Sequence, residues 1–519
     1  MSSTVQNDQY WEQFSVLPND LEHITNFLVE MERPQTIDQL AHEVIRARHE
    51  QMVALIEDTL AQGRIYRPGD SYAVGEKIIF PHLNNLLGEV VEVRSGHNPE
   101  YEAFSVVKVR MESGTVREFA AALTHEHPLN QATYLPSKNV APDEIFDSYG
   151  KKIKTTLRSA LEKNVQFLSV GDQWFLRDLV MEMPAGQLNI AEALLDMASG
   201  GPLRTEELLA EMEVPAEISR PLQLFSLEYA LLHDRRFDEV GPAGYALWYL
   251  RQMEPQAVLE VPQPLRYMPI PYNRSLLEET MLALERQIDD EWSDIQYDVL
   301  PADTVTVVLN YPHWRSGTLP LSPRVAQLFP TARITDRIRF TFMDATTKKT
   351  FPGWVVRSGR YVYGLAEWYK KFGASVGVYV DLARGDEPGV IQVSLRSTRA
   401  KRREWLRTVT TESGQVLFEV TRIPVACEFD ELATVAVPDP DAVDELAQQL
   451  ERVSLEALLE QVFNGLAGLS LQRAVHALTL YSVLNLLRRV PPAPMLAVLA
   501  TSSRYVSLGD NYWAYRGES

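Results

Sequence analysis

Basic side chains are concentrated in one part of the sequence, between Tyr311 and Thr410. This stretch holds 18 Lys and Arg residues against 7 Asp and Glu, a local balance of +11, so the other 419 residues must carry −31 to give the total of −20. Mixed charges would serve solubility equally well, and the segregation therefore predicts a domain that binds an anion. The alternative is that the basic stretch docks within the molecule on its acidic remainder.

Residue patterns that carry catalysis are missing from the sequence. It contains no phosphate-binding loop, no dinucleotide-binding glycine fingerprint, no GxSxG elbow and no HExxH pair. His125-Glu126-His127 could begin a metal site, but no third ligand follows nearby, and the single Cys427 excludes a disulfide framework and a Cys-based zinc site. We therefore expect a protein that is not an enzyme and that holds neither a cofactor nor a metal.

Length and composition are those of a globular chain with several domains. With 519 residues, 45% of them hydrophobic, the chain is too long for one core. No run of eighteen apolar residues occurs, and the first ten residues are polar. These features predict a cytoplasmic protein that has no membrane partner.

The N-terminal segment has helical periodicity followed by a period of two. Asn19–Glu32 predicts a first helix, Thr36 with Gln39 opens a second, a third covers 48–61, and Pro68-Gly69-Asp70 predicts a hairpin turn. This order predicts a winged helix over 16–71. Strands predicted at 77–80, 88–93 and 104–109 then form a small β-barrel over 72–137, and Val74–Pro81 with Gly88-Glu89-Val90 resembles the Tudor-like barrels of bacterial transcription factors.

A hairpin motif occurs more than once in the sequence. Residues 167–175 match 505–513 in residue class at all nine positions, and residues 237–245 form a looser copy. Each glycine–aspartate step allows a tight turn, and Trp174 and Trp513 are expected to lie in cores. These segments resemble the wings of HARE-type winged-helix domains of bacterial transcription proteins. The resemblance implies a partial module at 143–183 and further modules at 188–252 and 437–516.

The basic stretch contains mostly strand patterns. It follows a proline-spaced linker and helix over 253–300 and precedes a basic, irregular connector over 399–436. Leu319–Pro323, Phe329-Pro330, Trp354, Tyr361 and Leu365 with Trp368 and Phe372 resemble the plant-type "B-three" pseudobarrel, a DNA-binding domain, over 301–398. Val378 departs from the aspartate that commonly follows the glycine in that family.

This resemblance implies a set of DNA-binding residues. Two arms would straddle the major groove, where the planar fork of arginine can bond to guanine. The first arm is His313-Trp314-Arg315, in which Trp314 could equally pack, and the second is Arg357-Ser358-Gly359-Arg360. Phosphate contacts would come from Lys348, Lys349 and the run that contains Arg396, Arg399, Lys401, Arg402 and Arg403, which could otherwise be a solvated linker.

Together these features predict an α+β multi-domain protein with winged-helix modules, a small Tudor-like β-barrel and a β-pseudobarrel. The leading hypothesis is a bacterial transcription-regulator-like factor that binds double-stranded DNA sequence-specifically. Two alternatives stay open: a non-catalytic scaffold whose acidic winged-helix modules dock on RNA polymerase or another protein, and the DNA-recognition subunit of a restriction or defence system. The charge contrast separates the scaffold from the other two.

Overall fold

The computed structural model describes residues 10–83, 86–98, 102–125, 127–131, 141–295, 300–412 and 414–516. The chain is a mixed α/β protein with several separate sheets, and it divides into two compact units. The first unit comprises residues 1–182 and 214–229, and the second comprises 183–213 and 230–519.

The first unit contains long helices, a three-stranded sheet and a five-stranded sheet. The five strands follow the order β2-β3-β4-β5-β6, and the three strands follow the order β1-β8-β7. The elements in chain order are α1 (Pro18–Met31), β1 (Gln35–Thr36), α2 (Ile37–Ala61), β2 (Arg64–Ile65), β3 (Lys77–Phe80), β4 (Leu86–Ser95), β5 (Ser105–Met111), β6 (Val116–Ala121), α3 (Pro128–Gln131), α4 (Pro142–Glu162), β7 (Phe167–Val170) and β8 (Gln173–Leu176). The strands predicted at 77–80, 88–93 and 104–109 are confirmed as parts of β3, β4 and β5.

Two predictions for the N-terminal segment are wrong. Residues 37–61 form one continuous helix instead of two, because the stretch around Arg48 consists of good helix formers and contains no breaker. The segment 64–72 is not a hairpin, since β2 pairs in parallel with Ile78 and Ile79 of β3. The capping pair at the start of α2 is present as predicted: Thr36 N donates to Gln39 Oε1 at 2.8 Å, and Gln39 N donates to Thr36 Oγ1 at 3.3 Å.

The hairpin that belongs with α1 and α2 comes from a distant part of the sequence. Strand β1 pairs with β8, so that Gln35 lies opposite Trp174. The His42 and Phe146 rings stack at 3.7 Å and bring α2 against α4. The five-stranded sheet is therefore an insertion between α2 and α4, which a linear reading of the sequence could not show.

The second unit begins with a similar arrangement. Its elements up to the large sheet are α5 (Ala185–Met197), β9 (Leu203–Arg204), α6 (Thr205–Ala210), α7 (Arg220–His233, of which 220–229 belong to the first unit), β10 (Phe237–Glu239), β11 (Leu247–Leu250), α8 (Gln256–Leu259) and α9 (Glu279–Ile288). Strand β11 lies between β9 and β10. The helices and strands of this segment follow the same order as α1, β1, α2, α4, β7 and β8 in the first unit.

A seven-stranded sheet occupies the middle of the second unit. Its strand order is β12-β17-β18-β14-β15-β16-β13, and β14–β18 is the parallel pair among antiparallel ones. The elements are β12 (Thr304–Val308), α10 (Tyr311–Ser316), β13 (Thr318–Pro320), α11 (Pro323–Ala326), β14 (Arg337–Asp344), β15 (Thr350–Val356), β16 (Tyr361–Tyr363), α12 (Ala366–Phe372), β17 (Tyr379–Arg384) and β18 (Val390–Leu395). The strands and the helix predicted over 337–382 are confirmed, and alternate residues of β14 are buried, as the period of two requires.

The proline-spaced segment before this sheet is not an extended linker. It contains α8 and a turn of 3₁₀-helix at Gln263–Leu265, and Val258 and Leu265 pack against Trp354 and Tyr361 of the sheet. Tyr361 also donates its hydroxyl hydrogen to Ala257 O at 2.6 Å. The prolines limit the conformations of this segment, but apolar side chains between them hold it on the sheet.

After the seven-stranded sheet the chain forms a long two-stranded ribbon and then a helical region. The elements are β19 (Ser397–Glu412), β20 (Gln415–Cys427), α13 (Pro440–Gln449), α14 (Leu455–Ala467), β21 (Ala474–His476), α15 (Ala477–Leu487), α16 (Pro492–Thr501), β22 (Tyr505–Gly509) and β23 (Tyr512–Tyr515). The predicted irregular connector over 399–436 is therefore wrong for 399–427. Its residues pair along the whole ribbon, apart from one irregularity between Ser397 and Arg402.

Three tryptophans occupy corresponding positions in the three small sheets. Trp174, Trp248 and Trp513 lie on the second hairpin strand, opposite Gln35, Leu203 and Val475 of the short strand. Their exposed fractions are 2%, 0% and 4%, which confirms the expectation that Trp174 and Trp513 are core residues. The sequence comparison missed Trp248 because a longer turn separates β10 from β11.

Candidate nucleic-acid interface

Exposed lysines gather at one end of the seven-stranded sheet. Because β14 and β18 are parallel, with Asp344 opposite Val393, the carboxyl ends of both strands lie at this end. The turn between β14 and β15 lies here, and α12 is tied to it because Trp368 Nε1 donates to Asp344 Oδ2 at 2.6 Å. We call this surface the basic end. Its four exposed cations that have no ion-pair partner among the described residues are Lys348, Lys349, Lys370 and Lys371.

The carboxylate of Asp344 builds the turn that carries two of these lysines. It accepts hydrogen bonds from Thr346 N at 3.0 Å and Thr347 N at 2.5 Å. Burial alone would raise the pKa of Asp344, but these bonds and the Trp368 bond lower it below its ordinary value. Lys348 takes a left-handed conformation, with φ of 56°. Within the part of the chain that the structure describes, Lys348 and Lys349 have no carboxylate partner, so both charges are available to an external anion.

The middle of the ribbon has two faces of different chemistry. Residues directly opposite each other in an antiparallel pair share a face, so Trp405 and its partner Arg422 lie on the same side. The acidic residue of these two segments, Glu404, pairs with Ile423 on the other side. We call the side with Trp405 the outer face. Where 403–407 pairs with 420–424, it comprises Arg403, Trp405, Arg407, Val420, Arg422 and Pro424.

Over these segments the outer face is mostly exposed, whereas the side chains of the other face are buried or half-buried. Trp405 is 68% exposed, and Arg403 and Arg422 are exposed beside it. On the other face, Leu406 and Val425 have exposed fractions of 7% and 8%. Among the described residues, neither Arg403 nor Arg422 has an ion-pair partner. The outer face therefore presents two available guanidinium groups next to an aromatic ring, one across the ribbon and one along the same strand.

Arg407, the third arginine of the outer face, donates its hydrogen bonds to backbone oxygens of the same chain. Its Nη2 donates to Leu432 O at 3.1 Å and to Thr434 O at 3.3 Å. Burial lowers the pKa of Arg407. The segment that covers Arg407 also pairs with the ribbon backbone, since Val409 N donates to Ala436 O at 2.9 Å.

The tip of the ribbon is anchored on the C-terminal helices. A Cβ atom added at Gly465 of α14 would lie 2.2 Å from Phe418 Cδ2, so glycine at this position lets the Phe418 ring pack against the helix. Val409 and Val416 join the same core. With its base continuous with the sheet and its tip on α14, the ribbon has a fixed outer face.

The side chains of the first predicted DNA-binding arm form hydrogen bonds and ion pairs within the chain. Trp314 Nε1 donates to Ala374 O at 2.9 Å, so the packing alternative describes this residue. Arg315 Nε donates to Asp444 Oδ2 at 2.7 Å, and its Nη2 pairs with Asp441. The arginine that the resemblance assigned to DNA therefore forms ion pairs with carboxylates of α13, which lies far away in the sequence.

The second predicted arm lies at the opposite end of β15 from the basic end. Seven residues of strand separate the two turns, about 24 Å at roughly 3.4 Å per residue. Ser358 N donates to Asp336 Oδ1 at 2.6 Å, and Arg360 Nη1 donates to Glu291 O at 2.9 Å. Arg357 is exposed and has no side-chain partner among the described residues. The structure therefore leaves one free arginine in this arm and does not bring it together with Lys348 and Lys349.

The remaining predicted residues belong to the start of the ribbon. Arg396 is paired, since its Nε donates to Asp381 Oδ2 at 2.8 Å and its Nη2 donates to Thr306 Oγ1 at 2.8 Å. Arg402 is exposed on the face opposite Arg403. Arg399 and Lys401 lie within β19, and their side chains are outside the described part of the structure.

A buried charge network lies elsewhere in the second unit. Arg489 Nη2 lies 2.7 Å from both Asp290 Oδ1 and Glu291 Oε1, and His313 Nε2 lies 3.2 Å from the same Glu291 oxygen. Burial alone would raise the pKa of Glu291, but Arg489 and His313 lower it to about 2. His313, which the sequence placed in the first reading arm, is therefore part of the interior and is 0% exposed.

Sequence reasoning missed four residues of this interface: Lys370, Lys371, Trp405 and Arg422. The alternation of Arg403, Trp405 and Arg407 has the period of a strand and could have predicted an exposed face. The pairing of Trp405 with Arg422 depends on the ribbon register, for which the sequence carries no comparable signal.

The described residues were also compared with the requirements of a metal site and of a membrane-spanning helix. Among the described residues, no group of three or more His, Cys, Asp and Glu side chains could hold a metal ion, and Glu126 of the His125–His127 motif lies outside them. No single described helix has the length and composition to cross a membrane. The pair α15 and α16 meets those criteria only when taken together, and the two helices are bent by 118°.

Comparison with known proteins adds no further assignment. No protein-family model, no curated protein and no solved structure matches the chain. Any function assigned to the chain must therefore follow from its own residues and geometry.

Proposed function

We propose that the chain is a non-catalytic DNA-binding protein of the transcription-regulator type, and that the basic end and the outer face of the ribbon hold double-stranded DNA. The observation that carries the proposal is the set of unpaired cations on these two surfaces, in a molecule whose total charge is −20. Phosphate contacts from such cations supply most of the affinity of proteins for DNA.

The shape of the ribbon also suits a nucleic-acid duplex. A two-stranded antiparallel ribbon fits the major groove, which is about 12 Å wide. The ribbon begins directly after β18, at the same end of the sheet as Lys348 and Lys349. DNA that contacts the lysines of the basic end would therefore run close to the base of the ribbon. Arg357, at the other end of the sheet, is left as a possible base-reading residue outside this surface.

The fold supports the same class of protein. The repeated order of helix, short strand, helices and hairpin is that of a winged helix, and we propose that the three copies are winged-helix modules. We likewise propose that the seven-stranded sheet is a pseudobarrel. The cations of the sheet and the ribbon belong to the basic stretch of the sequence, so we assign DNA binding there and leave the acidic modules to protein contacts, of which RNA polymerase is one candidate.

The test is a binding titration of the full chain with a fluorescently labelled duplex at a series of salt concentrations. We expect the logarithm of the affinity to fall linearly with the logarithm of salt concentration. A variant with Lys348, Lys349, Lys370 and Lys371 all changed to glutamine should bind more weakly and with a flatter slope. Lack of binding at about 50 mM salt, where phosphate contacts are strong, would overturn the proposal.

A matched control comes from the first unit. Arg110 and Arg117 are exposed on β5 and β6 and have no ion-pair partner among the described residues. Changing both to glutamine lowers the net charge without touching the proposed surface. The lysine variant removes four positive charges and this variant removes two. It should keep the wild-type slope, and a loss half as large as that of the lysine variant would mean that only overall charge matters.

A further inference from the structure

Trp405 is unusual among the nine tryptophans of the chain. It is 68% exposed, whereas every other tryptophan is buried or half-buried. Val420, also on the outer face, is 44% exposed. A large aromatic ring left in water on a fixed strand marks a contact surface, because burying it would otherwise stabilise the fold.

The neighbours of Trp405 indicate which kind of partner it contacts. Arg422 lies directly across the ribbon, and Arg403 lies two residues away on the same face. An apolar protein surface would have to desolvate both guanidinium groups without a counter-charge, which is costly. An anionic partner that also offers a flat ring satisfies the two arginines and the indole together.

Nucleic-acid bases are such rings, but an intact duplex covers their faces. Each base in the duplex stacks on its neighbours, and a side chain in the groove reaches only the base edges. An unpaired or displaced base exposes a free face, and an aromatic side chain can stack on it. Arg403 and Arg422, which lie next to Trp405, can hold phosphates close to that base.

We propose that Trp405, beside Arg403 and Arg422, stacks on an unpaired base, so that the chain prefers DNA in which the duplex is interrupted by a few unpaired nucleotides. This inference rests on the proposed DNA-binding function, and it specifies the class of DNA. Stacking of a base on an aromatic side chain supports a preference of about tenfold or more over a fully paired duplex of the same length.

The experiment compares two labelled DNAs with the full chain at one salt concentration. One is a fully paired duplex, and the other has the same length and a short central bubble. We expect the bubble DNA to bind about tenfold more tightly. Trp405→Ala should remove this preference, so that the two DNAs bind with equal affinity, and Trp405→Phe should keep part of it.

Val420→Ala is the matched control, because it trims another exposed apolar side chain of the same face and should keep the preference. Equal affinity of the wild-type chain for both DNAs would overturn the stacking proposal while leaving the DNA-binding proposal intact. A preference that survives in Trp405→Ala would overturn it as well. Failure to bind either DNA would overturn both proposals. Because Trp405 is exposed, unchanged thermal unfolding can verify that each variant is folded.

Discussion

Replacing Arg403 and Arg422 by glutamine removes two positive charges from the outer face of the ribbon. Both side chains are exposed and have no ion-pair partner among the described residues, so the substitutions should alter stability by less than about 0.5 kcal/mol. Glutamine is polar and uncharged, so it suits an exposed position on a strand. A change in DNA binding would therefore report on the lost charges.

The size of the effect follows from the number of phosphates that the surface can neutralise. The four lysines of the basic end and the two arginines give at most six contacts, and each contributes about 0.9 to the slope of log affinity against log salt. We expect a slope of about −5.4 for the wild-type chain and about −3.6 for the double variant. Between about 50 and about 200 mM salt, affinity should fall about 2000-fold for the wild type and about 150-fold for the variant.

Fluorescence anisotropy with a labelled duplex measures these slopes, and the Arg110→Gln, Arg117→Gln variant serves as the charge-matched control. An unchanged slope in the Arg403, Arg422 double variant would show that the ribbon does not contact phosphates. A slope near zero in the wild type would remove the electrostatic basis of the account altogether.

Three further predictions concern the elements that position the surface. Arg489→Met leaves two carboxylates buried without their counter-charge, so it should lower the stability of the second unit by about 3–5 kcal/mol in calorimetry, and neutralising Asp290 and Glu291 as well should restore much of the loss. Burial and the neighbouring Asp238 raise the pKa of Glu254 from 4.5 to about 8, so the folded state holds a proton on this carboxyl that the unfolded state releases. The stability that this proton confers on the fold is complete below about pH 4.5 and is lost as the pH rises towards 8. Glu254→Gln should flatten this decline in melting temperature, and an unchanged pH profile would contradict the assignment. Gly465→Val should displace the Phe418 ring from α14, and faster hydrogen exchange in the ribbon would show it, whereas unaltered exchange would mean that the tip is anchored in another way.

Local patterns in the sequence were sufficient to predict many individual elements. The alternation in Arg337–Phe342 predicts β14, because alternate side chains enter the core of the sheet. The match between residues 167–175 and 505–513 predicts two hairpins, each with a pair of aromatic residues after the turn. These features depend on neighbours in the chain, so a period of two or a turn residue is enough to indicate them.

Features that depend on distant pairing could not be predicted in the same way. Strand β1 pairs with β8 across an inserted sheet, and nothing local to Gln35 indicates a partner near Trp174. Nothing near Arg315 in the sequence indicates an internal partner, but Asp444 of α13 forms an ion pair with it. A basic residue is available to DNA only if the fold supplies no internal partner, and that is a property of tertiary structure.

The central claim is that the basic end and the outer face of the ribbon contact DNA. Hydrogen–deuterium exchange of the full chain, with and without a duplex at low salt, tests this claim most directly because it maps contacts along the backbone. We expect slower exchange in the 344–350 turn and in 397–427 on addition of DNA, and no change in the strands at 86–121. Protection confined to the helices and hairpins of the modules, with none in the turn or the ribbon, would contradict it.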